Sequence, residues 1–252
     1  MEYTEFYKII TDIKNVRMFT LKDESAPALS KQIVFFHYVK AISLLDTIQI
    51  LCQRNKTGES GIILRSLLNL FINLKWLTLK EDSDKRMQRY ADYEIISKKR
   101  KMDLASIRPS DPSENQKAEK LNKNFDEIVK KYNLNPKNWK DLSLWSGKTI
   151  LQMAKDVSLL DDYEKIYSYL SFEEHTDPST ARNYLSRSKN EISSFIAKPD
   201  DYFIALMLWT AIDYYFKIED IVSKTFNVSF GQRNTNLNVL ANKYLQATIH
   251  DD

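Results

Sequence analysis

Glycine, proline and cysteine are all scarce in this chain of 252 residues. It contains 4 glycines and 6 prolines, well below the average usage of about 7% and 5%. Because hairpins and tight turns depend on these residues, their shortage argues against a β-rich fold and favours long helices. The one cysteine, Cys52, excludes an intramolecular disulfide and a cysteine-rich metal site, and it is typical of a protein in a reducing compartment.

An excess of charge of one sign is also lacking. The 37 basic and 34 acidic residues leave a formal net charge of +3, so nothing global demands a nucleic acid or an anionic membrane as partner. The first ten residues, MEYTEFYKII, lack a basic flank followed by an apolar core, so we expect no signal peptide. These features predict a cytoplasmic protein with no membrane partner, and nothing in the sequence calls for a cofactor.

The longest apolar run, residues 61–79, has hydrophobic side chains on nearly every side when it is placed on a helix. It is barely long enough to span a bilayer, and a central arginine such as Arg65 would cost about 2.5–3.5 kcal/mol there. We therefore predict the central helix of a soluble bundle. Arg65, Asn69 and Asn73 follow at spacings of four residues and form one polar stripe on this helix. The helix is the third predicted along the chain, α3, and we call the stripe the α3 stripe.

Helical periodicity and capping signals predict further helices on both sides of this run. The predicted ranges are 3–19, 27–53, 82–101, 112–132, 148–157, 160–175, 179–196, 202–226 and 236–249. The sequence thus predicts an all-α fold, a single multi-helix bundle over residues 1–252 built around the central helix. A peripheral helical excursion is predicted at 108–142.

A second polar face lies on the predicted helix 160–175, where Glu164, Tyr167, Ser171 and His175 recur at spacings of three and four. Ser171 and His175 could act as nucleophile and base, but no strand-to-helix elbow or glycine-rich oxyanion loop accompanies them. A packing or capping role for His175 and a role as a polar residue of a cleft both stay open.

The spacing of charged residues bears on two other kinds of site, a metal site and a phosphate-binding site. A metal held by His175 with Glu173, Glu174 or Asp177 is disfavoured, because neighbouring residues point to different faces of a helix, and no metal site is predicted. A basic run at 98–101 could bind phosphates, although a solvated helix C-terminus explains it equally well. The run consists of Lys98, Lys99, Arg100 and Lys101.

Four separated motifs resemble a bacterial helical family, the domain of unknown function 5677. They are the segment 64–77, Arg89-Tyr90, Trp145-Ser146-Gly147, and the series Tyr163, Tyr167, Leu170-Ser171 and His175. The resemblance covers roughly residues 58–178 and implies a helical fold and the location of a site. The family's pattern implies a glutamate at the position of Asn69, so the charge of Arg65 must be met elsewhere.

That family is similar in architecture to HEPN-type helical proteins, many of which are metal-independent ribonucleases of toxin and antiphage systems. Those enzymes carry an arginine and a histidine four to six residues apart on one helix, and this chain has no such pair. Ribonuclease chemistry would therefore need Arg65 and His175 to converge in space.

Two functions stay open. The first, which the missing arginine–histidine spacing favours, is a non-enzymatic interaction or regulatory module of a defence-type system that binds a protein partner or a second copy of itself. The second is a ribonuclease acting on RNA. The aromatic density of Trp209, Tyr214, Tyr215 and Phe216 is the sequence feature behind self-association.

Overall fold

The computed structural model describes residues 3–15, 28–104, 112–138, 142–167, 185–188, 191–195 and 201–230. The predicted helix 236–249 lies outside these residues. The chain divides into two compact units, one made of Met1–Thr78 with Ala154–Asp252 and the other of Leu79–Met153. The single domain over 1–252 and the excursion at 108–142 stay predictions.

The described helices confirm the all-α fold class. Their bounds are α1 Thr4–Asn15, α2 Leu29–Gln53, α3 Thr57–Leu77, α4 Ser83–Leu104, α5 Pro112–Lys131, α6 Ile150–Asp156, α7 Leu160–Asp162 and α8 Asp201–Phe226. The predicted bounds of α2, α3, α5 and α8 agree with these to within a few residues. The apolar periodicity that predicts these helices is local in sequence, so it does not depend on how the helices pack together.

The core of the first unit surrounds α3. Helices α2 and α8 both pack on α3 and on each other, and α1 packs on α2. Three leucines of α3, Leu67, Leu68 and Leu74, are fully buried, and burying such a side chain stabilises the fold by about 1.5–3 kcal/mol. The apolar circumference of α3 is thus explained by helices on more than one side of it.

Two predicted helices are wrong in part. The chain continues from α7 as a π-helical turn, Tyr163–Tyr167, which contacts α3. The predicted helix 179–196 is replaced by two antiparallel strands, β1 Leu185–Ser188 and β2 Glu191–Phe195, in which Leu185 pairs with Phe195 and Ser188 with Glu191. Four serines stand in these strands, and serine favours a helix less than leucine or alanine does, so the helical pattern there was weak.

The second unit is built on α4 and α5, which pack against each other. Its hydrophobic core consists of Ile96 from α4, Ile128 from α5 and Leu142 from the segment that follows. The hydroxyl of Tyr93 donates to the carbonyl oxygen of Leu142 at 2.9 Å and lies 3.1 Å from that of Ser143. These bonds hold the segment after α5 against α4.

Helix α2 is long and apolar enough to cross a membrane by length and composition, with a mean hydropathy of 1.4 in its most apolar window. Half of that window is buried inside the first unit. A core helix of a bundle passes the same test, so this one helix is weak evidence for a membrane span.

Candidate functional site

The α3 stripe is half-buried in the first unit. The side-chain oxygens of Asn69 and Asn73 are buried and, within the described part of the chain, accept no hydrogen bond. Nη1 of Arg65 is buried as well. A buried amide oxygen without a donor costs about 1–3 kcal/mol, so the stripe is a place where a further polar group would be stabilised.

The structure describes only part of the second predicted polar face, which lies on the predicted helix 160–175. The π-helical turn that ends at Tyr167 contacts α3, the helix that carries the stripe. Ser171 and His175 lie outside the described residues, and so does the side chain of Tyr167. Whether Arg65, Tyr167, Ser171 and His175 share a pocket therefore stays a prediction.

The basic run at the end of α4 is engaged in contacts within its own unit. Lys98 pairs with Glu94 at 2.6 Å, and Lys99 pairs with Asp103. Nη1 of Arg100 donates to the carbonyl oxygen of Leu142 at 3.3 Å, while Lys101 is exposed. These partners reduce the positive potential that the run offers to a phosphate, although exposed ion pairs are individually weak.

A charged cluster that the sequence analysis missed lies where α3, α7 and α8 meet. The hydroxyl of Tyr214 donates to Asp162 at 2.9 Å, and Lys217 pairs with Asp213 at 2.7 Å. Burial lowers the pKa of Lys75, the nearby Lys217 lowers it further, and Asp162 opposes both. Burial, and then Asp162, raises the pKa of Tyr214. Its residues come from three segments, so no local spacing could have revealed the cluster.

The one histidine in the described residues, His37, is a core residue. It is 1% exposed, and its Nδ1 donates to the carbonyl oxygen of Ile33 at 2.8 Å. Burial lowers the pKa of His37, against the smaller effect of that hydrogen bond. A neutral, enclosed imidazole is suited to packing and not to proton transfer with a substrate. Within the described residues no group of three histidine, cysteine, aspartate or glutamate side chains could hold a metal ion.

The second unit contains a small pocket with a cation in its wall, which we call the Arg89 pocket. Its cavity volume is about 10 Å³, which is the room that about one water molecule needs. The guanidinium of Arg89 lies over the ring of Tyr132, with Cζ 5.1 Å from the ring centroid. The lining residues are Arg89, Tyr93, Ile96, Ile128, Tyr132, Leu134, Leu144 and Trp145.

The pocket brings together two motifs that are far apart in sequence. Tyr90 meets Trp145 edge-on, with ring centroids 4.9 Å apart, and Arg89 lies against Gly147. Both pairs join the Arg89-Tyr90 motif of α4 to the Trp145-Ser146-Gly147 motif. These residues carry the family resemblance, but their positions in the sequence do not place them in one site, because a long-range contact leaves no periodic signal.

The comparisons with known proteins agree with that resemblance. No curated protein and no solved structure matches the chain. Residues 31–192 match the family described as Family of unknown function (DUF5677). That match extends over more than half of the chain, from α2 to β2, and the protein therefore belongs to the DUF5677 family.

Proposed function

We propose that this protein is a non-enzymatic interaction module that binds a protein partner through the outward face of α2. The observation that carries this proposal is the exposure of large apolar side chains on one side of that helix. Phe36 is 53% exposed, Val39 36% and Ile50 44%. Large exposed apolar groups that share a face are typical of interaction surfaces.

Thr47, a polar residue between these side chains, makes little demand on water. The hydroxyl of Thr47 donates to the carbonyl oxygen of Ser43 at 2.9 Å, within the helix. A hydroxyl that is satisfied by its own backbone can be covered by a partner at little cost. Phe36 and Ile50 are fourteen positions apart, which is about 21 Å along a helix, the length of a short partner helix.

Phe36 is the most exposed of the three apolar side chains on this face. Full burial of a phenylalanine side chain is worth about 1.5–3 kcal/mol, and about half of Phe36 is still available for burial by a partner. Aromatic anchors surrounded by smaller contacts carry much of the affinity in protein interfaces. We therefore expect Phe36 to be the anchor of this face.

Affinity purification of the full chain from its source cells tests the proposal. The Phe36→Ser/Ile50→Ser double variant should lose a specific co-purifying protein, with binding weakened at least about tenfold. Lys40→Ser, a polar change on the same exposed side, is the matched control and should keep the partner. Equal recovery of the partner by the double variant would overturn the role of this face. Light scattering identifies a second copy as the occupant if the purified chain is a dimer that the double variant dissociates.

We further propose that the module has a regulatory role in a defence-type system. Its motive is the resemblance to HEPN proteins that the sequence predicts for the family. Genes that encode a nuclease, a reverse transcriptase or an antitoxin beside this one would assign the module to such a system. Neighbouring genes of unrelated metabolism would contradict that assignment, but they would leave the proposal for the α2 face unaffected.

A metal-independent ribonuclease is the second candidate, and one contact favours it. The π-helical turn Tyr163–Tyr167, which precedes Ser171 and His175 in the sequence, contacts α3, the helix that carries Arg65. In this mechanism His175 would move the proton of the ribose hydroxyl and Arg65 would stabilise the phosphate.

Bulk RNA incubated with the purified protein, with and without a chelator, separates the two functions. Chelator-resistant cleavage that both Arg65→Ala and His175→Ala abolish would establish the ribonuclease. Intact RNA under all conditions, together with a partner lost on Phe36→Ser/Ile50→Ser substitution, would establish the module. Unfolding curves of His175→Ala add a control, since an unchanged midpoint excludes a structural hydrogen bond worth about 1–3 kcal/mol.

A further inference from the structure

The guanidinium of Arg89 is held in place by an aromatic ring and a turn. Cζ of Arg89 lies 5.1 Å from the centroid of Tyr132, a cation–π contact that holds the guanidinium near the ring. On another side, a Cβ added to Gly147 would lie 3.1 Å from Nη2 of Arg89. The guanidinium therefore occupies a fixed position in the wall of the Arg89 pocket.

The turn beside Arg89 is rigid. Gly147 has a φ of 73°, which glycine adopts at no steric cost, and its amide donates to the carbonyl oxygen of Leu144 at 2.9 Å. Oγ of Ser146 accepts from the amide of Lys148 at 3.0 Å and donates to its carbonyl oxygen at 2.9 Å. This turn also positions Trp145, whose ring Tyr90 meets edge-on, so one wall of the pocket is preorganised.

The charge of Arg89 is not matched by a carboxylate. In the part of the chain that the structure describes, no aspartate or glutamate forms an ion pair with it. Asp92, one turn further along α4, accepts instead from Lys131 at 2.7 Å, from Tyr132 at 2.8 Å and from Gln88 at 2.8 Å. The nearest acidic residue on the helix is thus already satisfied by three donors.

We propose that the Arg89 pocket binds the carboxylate group of a small organic acid. A guanidinium fork pairs with a planar carboxylate through two parallel hydrogen bonds. The cavity of about 10 Å³ has room for one carboxylate oxygen, which is about the size of a water molecule, and the rings of Tyr93, Tyr132 and Trp145 line it. This binding site is independent of the α2 face.

Each part of the wall has a distinct task in this site. Arg89 supplies the charge and both hydrogen bonds. Tyr132 and Gly147 keep the fork in one orientation, so that little freedom is lost when the acid binds. The apolar residues Ile96, Ile128 and Leu134 exclude water, which strengthens the ion pair.

Titration with sodium acetate, followed by the indole N–H resonance of Trp145, tests the proposal. Sodium chloride keeps the ionic strength constant, and Trp145→Phe assigns the resonance. We expect a saturable shift with a dissociation constant on the order of 1 mM, within reach of a ligand of four heavy atoms. Arg89→Lys, which keeps the charge but loses the fork, should weaken binding at least about tenfold.

Arg54→Lys is the matched control, because Arg54 is exposed in the other unit, and it should leave the titration unchanged. A Trp145 shift that does not saturate, or that persists in Arg89→Lys, would overturn the proposal. Tighter binding of inorganic phosphate than of acetate would overturn the assignment to carboxylates. If Arg89→Lys fails to fold, Tyr132→Leu, which removes the ring beneath the fork, should weaken acetate binding in the same titration.

Discussion

The hydroxyl oxygens of Tyr215 on α8 and Tyr38 on α2 lie 3.1 Å apart in the core of the first unit. Oε1 of Glu219 lies 3.2 Å from the same Tyr215 oxygen, and these three side chains are at most 4% exposed. Burial, and then the Glu219 carboxylate, raises the pKa of Tyr215, so its hydroxyl stays protonated. A hydrogen-bonded chain of three polar groups thus joins two helices that are otherwise held by apolar contacts.

Removing the hydroxyl of Tyr215, the central group of this network, should destabilise the fold. We expect Tyr215→Phe to lower the free energy of unfolding by about 1–3 kcal/mol, because it leaves a buried tyrosine and a buried carboxyl group short of a partner. Urea unfolding followed by circular dichroism measures this. Tyr7→Phe is the control: within the described residues its hydroxyl makes no hydrogen bond, and the change should stay within about 0.5 kcal/mol. Equal losses in the two variants would contradict the network.

The sequence predicts the helices of this protein better than it predicts its clusters. The all-α class and the position of α3 follow from glycine scarcity and from an apolar run, which are properties of neighbouring residues. The contact between Tyr38 and Tyr215 joins residues 177 positions apart, and the Arg89 pocket combines three segments. Such long-range contacts are decided by tertiary packing alone. The hairpin of β1 and β2 escapes prediction for a different reason, since serine, which stands at four positions of its strands, gives only a weak local preference for a helix.

Asp92 should make the second unit sensitive to acid. Burial raises the pKa of Asp92, but hydrogen bonds from Lys131, Tyr132 and Gln88 outweigh it and leave the pKa below its ordinary value. A carboxyl group with a lowered folded-state pKa stabilises the fold above the unfolded value of about 3.9, and this contribution is lost as the pH falls through the folded-state value.

We therefore expect Asp92→Asn to destabilise the protein at neutral pH and the difference from the natural chain to shrink below about pH 4. Unfolding by urea at a series of pH values, monitored by tryptophan fluorescence, measures the difference. Asp126→Asn on the exposed side of α5 is the control and should change stability by no more than about 0.5 kcal/mol. A difference for Asp92→Asn that is constant with pH would argue against an ionised, hydrogen-bonded Asp92.

Gly147 should resist substitution for two separable reasons. Its φ of 73° costs an L-residue about 1–2 kcal/mol, and a Cβ would stand 3.1 Å from Nη2 of Arg89. We expect Gly147→Ala to be destabilising in urea unfolding. In an Arg89→Ala background the steric part of the destabilisation by Gly147→Ala disappears and the backbone part remains. The stability lost in the double variant should therefore be less than the sum of the losses in the two single variants. Full additivity would show that the guanidinium does not lie against this turn.

Lys75 reports on the charged cluster between α3, α7 and α8. Burial lowers its pKa first, Lys217 lowers it further and Asp162 raises it. Lys217→Gln should therefore raise the pKa of Lys75, and Asp162→Asn should lower it. Because the pKa is lowered on folding, stability from this group rises with pH between the lowered value and the ordinary value of 10.5, and Lys217→Gln should narrow that window. Carbon chemical shifts of the Lys75 side chain, followed by NMR from neutral to alkaline pH, measure both shifts. An unchanged Lys75 titration in Lys217→Gln would place the two ammonium groups too far apart to interact.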